Sequence, residues 1–235
     1  MKISIVLPTY CEKENIVKLI DVLDANNAAR DWETEIIIVD DSSPDGTADA
    51  ARAREKDGKV SVRCFVRSQE RGLATAILFG IRQSSGDMIV VMDTDFNHDP
   101  DMIPQMVKFM EYFDFVIGSR FVTGGGMQDR GRYFFSFFFN LFVRSLLHTQ
   151  IQDNLSGFFA IWRKDLLMMD LDKIFKGYGE FFIRLIYSCK QRRLKILEIP
   201  AFYGQRLYGA SKSRFFWMVV NYTSCVLNLW LFGKG

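Results

Sequence analysis

"MIVVMDTDFNHDP", residues 88–100, is the stretch that decides the fold. Met88, Ile89, Val90 and Val91 form an unbroken apolar run, which is what a strand covered on both faces of a parallel sheet requires. Asp93 and Asp95 follow two residues apart, with Asp99 and Asp101 close behind. Like charges this close raise one another's pKa unless a cation neutralises them. The stretch therefore reads as a strand whose carboxyl end opens onto a site.

The same grammar recurs upstream. "ISIVL" (3–7), "EIIIVD" (35–40), "VSVRCFV" (60–66) and "FVIGS" (115–119) are further short apolar or β-branched runs. Helical spacing falls between them, over 14–25, 47–56 and 72–84, and Pro104 opens another helix. Strand and helix in alternation predict a mostly parallel sheet with helices on both faces. Ligands in such sheets sit beyond the carboxyl ends of the strands. Three ends carry polar clusters here: "PTYCE" (8–12), "DDSSPDG" (40–46) and "DTDFNHD" (93–99). Asp, Ser, Pro and Gly are also ordinary turn residues, so "SSPDG" reads equally well as a turn. Two acids at a strand end call for a hard divalent cation, and Mg²⁺ is commonly shared with substrate phosphates. No Walker-type glycine loop and no GxGxxG follows the first strand, which argues against a P-loop enzyme and a classical dinucleotide fold.

Composition narrows the classes further. With 49% hydrophobic residues, 235 residues suffice for one large domain with a packed core. A net charge of +2 gives no global electrostatic case for nucleic acid. The four cysteines lack CxxC spacing and only two histidines, His98 and His148, are present, so a zinc site is not expected. The N-terminal "MKISIVLPTY" reads as a first strand, not a signal segment, with the start of the chain expected in the cytosol.

Two segments are unusually apolar. "RYFFSFFFNLFVRSLL" (132–147) carries Arg132, Ser136, Asn140 and Arg144 at steps of four, one slanting polar stripe on a helix of Phe, Leu and Val. It fits an interfacial helix, or a core helix with a polar seam. Residues 215–232 form a second run, with Trp217 and Trp230 near its ends. It fits a peripheral amphipathic helix, a single span, or a helix packed on the domain. "KQRRLK" (190–195) reads as a lipid-facing or a solvated charge run. "TGGGMQDRGR" (123–132) reads as a mobile active-site loop dividing the two halves.

"PTYCEKENI", "VDDSSPDGT", "RGLATAI", "DTDFNHDP", "GSRF", "DNLSGFFA", "GYGE" and "RLYGASK" occur in the order that resembles inverting family-2 glycosyltransferases, in particular the polyprenyl-phosphate branch of the dolichyl-phosphate mannosyltransferases. The resemblance runs from residue 3 to about 214 and implies a Rossmann-like GT-A α/β fold with amphipathic membrane-facing helices. It implies a catalytic domain over 1–212 and a membrane-associated helix over 213–235. The reaction implied moves a sugar, mannose or glucose, from a GDP- or UDP-sugar to a polyprenyl phosphate, with Mg²⁺ or Mn²⁺, on the cytoplasmic face of a membrane. Pro8, Tyr10, Glu12, Val39 and Asp41 match the base and ribose pocket. Met92, Asp93, Thr94 and Asp95 match the diphosphate segment, with Asp93, Asp95 and Asn97 as metal ligands. Asn97 stands where the family usually has Gln. Arg120, Arg206 and Lys212 match substrate- and phosphate-binding positions, and Arg132, Ser136 and Asn140 match the acceptor-side helix. Phe159 stands where the family commonly has Arg. An ionised lipid phosphate needs no general base. A hydroxyl acceptor would, and Asp129 or Asp153 are the candidates. The other reading from a different class is a membrane-associated binding protein without turnover.

Overall fold

The computed structural model describes residues 1–27, 30–55, 60–204 and 215–233. Its elements run β1 (Lys2–Thr9), α1 (Lys13–Asn27), β2 (Glu33–Asp40), α2 (Thr47–Arg52), β3 (Ser61–Val66), α3 (Leu73–Gln83), β4 (Met88–Val91), α4 (Ile103–Phe109), β5 (Phe115–Ser119), β6 (Gly126–Met127), α5 (Arg130–Leu147), β7 (Phe159–Trp162), α6 (Arg163–Leu167), α7 (Leu171–Ile174), α8 (Phe181–Gln191), β8 (Ile196–Pro200), β9 (Phe202–Tyr203) and α9 (Phe215–Phe232).

Seven strands form one sheet in the order β3-β2-β1-β4-β7-β5-β8. β1 pairs in parallel with β2 and β4, β2 with β3, and β5 with β8. β7 alone runs antiparallel, wedged between β4 and β5. The expected mostly parallel α/β sheet is present. Successive side chains alternate between its faces, as pleating requires. Ile5, Leu7, Ile36, Ile38 and Val90 pack with residues of α1 and α4. Val6, Ile37, Val39, Ile89 and Val91 pack with residues of α3 and α8 on the other side. Chain order reverses direction between β1 and β4, so a crevice opens at the carboxyl end of those strands.

A third cluster joins Phe139, Val143 and Leu147 of α5 to Ile183 of α8 and to Tyr222, Val226 and Leu229 of α9. The C-terminal helix thus packs on the domain through one stripe, while Trp217, Val220, Trp230 and Leu231 remain exposed. α5 behaves likewise: Phe134 is 60% and Phe138 64% exposed. The polar stripe on α5 divides along its length. Arg132 is exposed, whereas Asn140 is buried, accepting from Asn154 N at 2.7 Å and donating to the Ser136 carbonyl at 2.9 Å. Arg144 donates to Gln152 Oε1 at 2.6 Å. So α5 has a polar seam toward the 149–156 loop and an aromatic face toward solvent. Among the described residues no helix is long and apolar enough to cross a membrane.

The glycine-rich 123–132 segment includes the short strand β6 and the start of α5. Gly126 and Met127 pair in parallel with Phe202 and Tyr203, and Asp129 caps α5 by accepting from Arg132 N at 3.0 Å. Gly125 passes so close to Ser119 that a Cβ would lie 2.4 Å from its carbonyl oxygen, which excludes any side chain there.

Candidate active site

The crevice holds a cavity of about 310 Å³ lined from five segments. Pro8, Thr9, Tyr10 and Glu12 come from the end of β1, Asp41 from the end of β2, and Asp93, Thr94 and Asp95 from the end of β4. Arg71, Gly72, Leu73 and Ala76 come from the start of α3, and Tyr178 from the loop before α8. Adjacent parallel strands force this convergence, because Thr9 pairs with Asp40 and Val6 with Val91.

The cluster after β2 is both a turn and part of the site. Asp40 accepts from Ser43 N at 2.9 Å and Ser43 Oγ at 2.5 Å. Asp45 accepts from Thr47 N at 3.0 Å and Thr47 Oγ1 at 2.6 Å. These two acids build the turn and leave Asp41 to face the cavity. Asp41 is itself held: Arg67 donates through Nε at 2.7 Å with Nη2 at 2.6 Å, and Gly72 N donates at 2.8 Å. Arg67, buried, also donates to the Gly72 carbonyl at 3.1 Å and to Thr75 Oγ1 at 3.1 Å. Asp41 and Arg67 thereby fix the α3 N-terminus against the cavity.

At the end of β4 the two acids differ. Asp95 is buried, accepting from Asn97 N at 3.1 Å and from Asn97 Nδ2 at 3.0 Å. The carboxyl of Asp93 is 45% exposed on the cavity wall. The Asp93 amide donates to His98 Nδ1 at 2.9 Å. That imidazole is buried, stacked on Phe158 at 4.9 Å and met edge-on by Tyr203 at 4.7 Å. Burial pushes its pKa down to about 4, against the opposing pull of Asp95, so the ring is neutral. Among the described residues no three His, Cys, Asp or Glu side chains converge on one metal position. Two carboxylates on one wall still suit a hard cation whose other ligands come from a diphosphate and water.

Seven residues expected at the site line this cavity together: Pro8, Tyr10, Glu12, Asp41, Asp93, Thr94 and Asp95. Val39 and Met92 do not; their side chains are buried in the core clusters on the two sides of the sheet. Asn97 lies against Asp95, its amide nitrogen engaged there. Arg120 is buried beside the site in a bidentate pair with Asp153, Nε at 2.7 Å and Nη2 at 2.7 Å. Burial disfavours its charge, but the Asp153 carboxylate outweighs that and holds the guanidinium above its ordinary pKa. Asp153, fully buried, also accepts from Arg120 N and Leu155 N, so it is not poised as a base. Phe159 packs with Phe115 and Phe182 in the core. Arg206 and Lys212 lie outside the described residues. Sequence reasoning missed Arg71, whose guanidinium stands 5.3 Å above the Tyr10 ring, and Tyr178. Both sit inside recognisable motifs, "RGLATAI" and "GYGE". It also missed His98 and Arg67, which act through contacts distant in sequence or masked by a loop.

The model of Glycosyl transferase family 2 matches residues 4–167. The chain is 34% identical over 223 residues to a dolichol-phosphate mannosyltransferase of Pyrococcus furiosus, covering 90% of this chain but 59% of that protein. It is 33% identical over 220 residues to an undecaprenyl-phosphate mannosyltransferase of Micrococcus luteus, covering 90% of this chain and 87% of the relative. Among solved structures it resembles glucosyl-3-phosphoglycerate synthase of Mycobacterium tuberculosis bound to Mn²⁺, UDP and glucosyl-3-phosphoglycerate. The TM-score is 0.71 at 20% identity, over 97% of this chain and 80% of that one. The same synthase has also been solved with Mg²⁺ and UDP, at a TM-score of 0.67, 21% identity, and coverage of 96% of this chain and 76% of that one. The fold is of the GT-A type.

Proposed function

This chain belongs to glycosyl transferase family 2, and from that premise we propose that it moves a sugar, mannose or glucose, from a nucleoside diphosphate donor to a polyprenyl phosphate. One observation carries the reading: the two acids Asp93 and Asp95 open on the switch-point cavity of a chain one-third identical to polyprenyl-phosphate mannosyltransferases. In this reading Tyr10, Glu12 and Asp41, with Arg71 beside them, take the nucleoside, and Asp93 and Asp95 take the diphosphate; all six line the cavity. Asp93 and Asp95 would hold Mg²⁺ or Mn²⁺, which would supply charge neutralisation for the leaving diphosphate. A lipid phosphate oxygen attacks the anomeric carbon as the bond to the nucleoside diphosphate breaks, giving inversion.

A phosphate acceptor needs no base, and neither acid considered for that role is poised for it. Asp153 is locked to Arg120, and Asp129 caps α5. Arg132 lies exposed on the first turns of α5, the acceptor side, with Ser136 half-buried one turn on; Asn140 supports the 149–156 loop. Residues 1–212 form the catalytic unit, and 213–235 its membrane-associating segment, which carries α9. The aromatic faces of α5 and α9 rest on the cytoplasmic surface of a bilayer, a peripheral attachment. Arg206 and Lys212 contribute phosphate contacts.

The deciding assay incubates the protein with polyprenyl phosphate, Mg²⁺ or Mn²⁺ and labelled GDP- and UDP-sugars, then extracts lipid. Label in the lipid fraction with one sugar is expected; transfer only to a soluble saccharide would overturn the acceptor. For attachment, Phe134→Ser with Phe138→Ser is expected to leave melting unchanged and to weaken liposome binding by roughly tenfold per residue, since each ring loses about 1.5 kcal/mol of apolar burial. Unchanged liposome binding would show that α5 does not face lipid.

A further inference from the structure

We infer that His98 is a positioning residue for the diphosphate end of the site, holding the Asp93 main chain so that its carboxylate faces the cavity. The inference rests on the donor-binding reading above. Asp93 lies two residues beyond Val91, the last ladder-paired residue of β4. Its amide donates to His98 Nδ1, at 2.9 Å. An accepting Nδ1 requires the proton on Nε2, so only the neutral ring in this tautomer can do the task. The ring cannot swing away, because it is 1% exposed and held between Phe158, stacked at 4.9 Å and 9°, and Tyr203, edge-on at 4.7 Å.

That slot is anchored in turn. The Tyr203 hydroxyl lies 2.8 Å from Ser156 Oγ and donates to the Ser156 carbonyl at 3.0 Å. The Arg120 guanidinium sits 4.9 Å over the Tyr203 ring while paired with Asp153. A continuous packed path therefore runs from the buried Arg120–Asp153 pair through Tyr203 and His98 to the Asp93 backbone. Without an acceptor at position 98 the Asp93 amide would lose this hydrogen bond, and the 92–97 loop would shift to compensate.

Asn and Leu have nearly the same shape, and only Asn offers an acceptor close to where Nδ1 stood. His98→Asn and His98→Leu are compared with wild type by calorimetric binding of UDP and GDP in Mn²⁺, by kcat and donor KM, and by melting temperature. Both variants are expected to melt lower, through loss of the ring. His98→Leu is expected to bind the Mn²⁺–nucleotide at least tenfold more weakly and to lose kcat. His98→Asn is expected to recover most of the binding. Should the smaller side chains unfold the protein, His98→Phe keeps the stack, removes the acceptor and is expected to behave as His98→Leu. Equal binding by His98→Asn and His98→Leu, or wild-type binding by His98→Phe, would overturn the positioning role. Wild-type protein that binds neither nucleotide with Mn²⁺ would overturn the donor reading itself, and the inference with it.

Discussion

Near the amino end of the sheet, Glu35 is 2% exposed and accepts from Ser4 Oγ at 2.5 Å, Ser85 N at 2.6 Å and Ser85 Oγ at 3.0 Å. Lys2 Nζ and Arg63 Nη1 stand 3.7 and 3.6 Å from its other oxygen. At the carboxyl end, Asp93 and Asp95 line a cavity, and the Asp93 carboxyl remains 45% exposed. Both ends bring acids out of apolar strands, yet they use them differently. At one end protein donors surround the carboxylate and it belongs to the fold. At the other the carboxylates keep a wall open to a ligand. Asp41 lies between these cases, since it faces the cavity while Arg67 and Gly72 occupy both its oxygens.

Asp41 gives the sharpest test of that contrast. Asp41→Asn leaves the buried Arg67 guanidinium without its counter-charge, which should cost about 3 kcal/mol or more of stability. Because the α3 N-terminus then loosens, donor KM should also rise. Denaturant melts and donor titrations check both; a loss of stability alone would place Asp41 wholly with the fold, and a loss of donor binding alone wholly with the site. Asp95→Asn should lower kcat/KM by about 10² to 10³, roughly 2.7–4 kcal/mol, with little change in melting temperature. Retained activity would break the reading of the carboxyl end as the functional one.

Glu35→Gln should cost about 1–3 kcal/mol of stability and leave donor KM unchanged. The pH dependence has a defined sign. Burial alone would raise the Glu35 pKa, but the Ser4 and Ser85 donors with Lys2 outweigh it and hold the carboxyl below its ordinary value of 4.5. Its contribution is therefore fully present above that value and is lost as pH falls through the folded one. Melts of wild type and Glu35→Gln should converge in acid; parallel curves would remove Glu35 from the linkage.

Much of this is legible in the sequence. The strand runs at 3–7, 35–40 and 115–119, and the apolar part of 88–93, coincide with β1, β2, β5 and β4. Burial on both faces leaves continuous apolar stretches that can be read locally. The strand at 88–93 ends at Val91, so Asp93 belongs to the loop, where it is free of the ladder's geometry. β7 and β8 were not anticipated: "FAIW" and "ILEIP" are short, and nothing near them signals an antiparallel insertion.

The eight motifs in order determined the family resemblance, and the acids at strand ends determined which edge of the sheet would carry the site. Those features are local, written in residue type and spacing. Which acids remain open to a ligand was decided only in three dimensions. Arg67 meets Asp41 across 26 residues, Arg120 meets Asp153 across 33, and Ser85 meets Glu35 across 50. A carboxylate's role follows from the donors that surround it, and those donors arrive from segments brought together by the sheet order β2-β1-β4-β7-β5, which spacing along the chain does not encode.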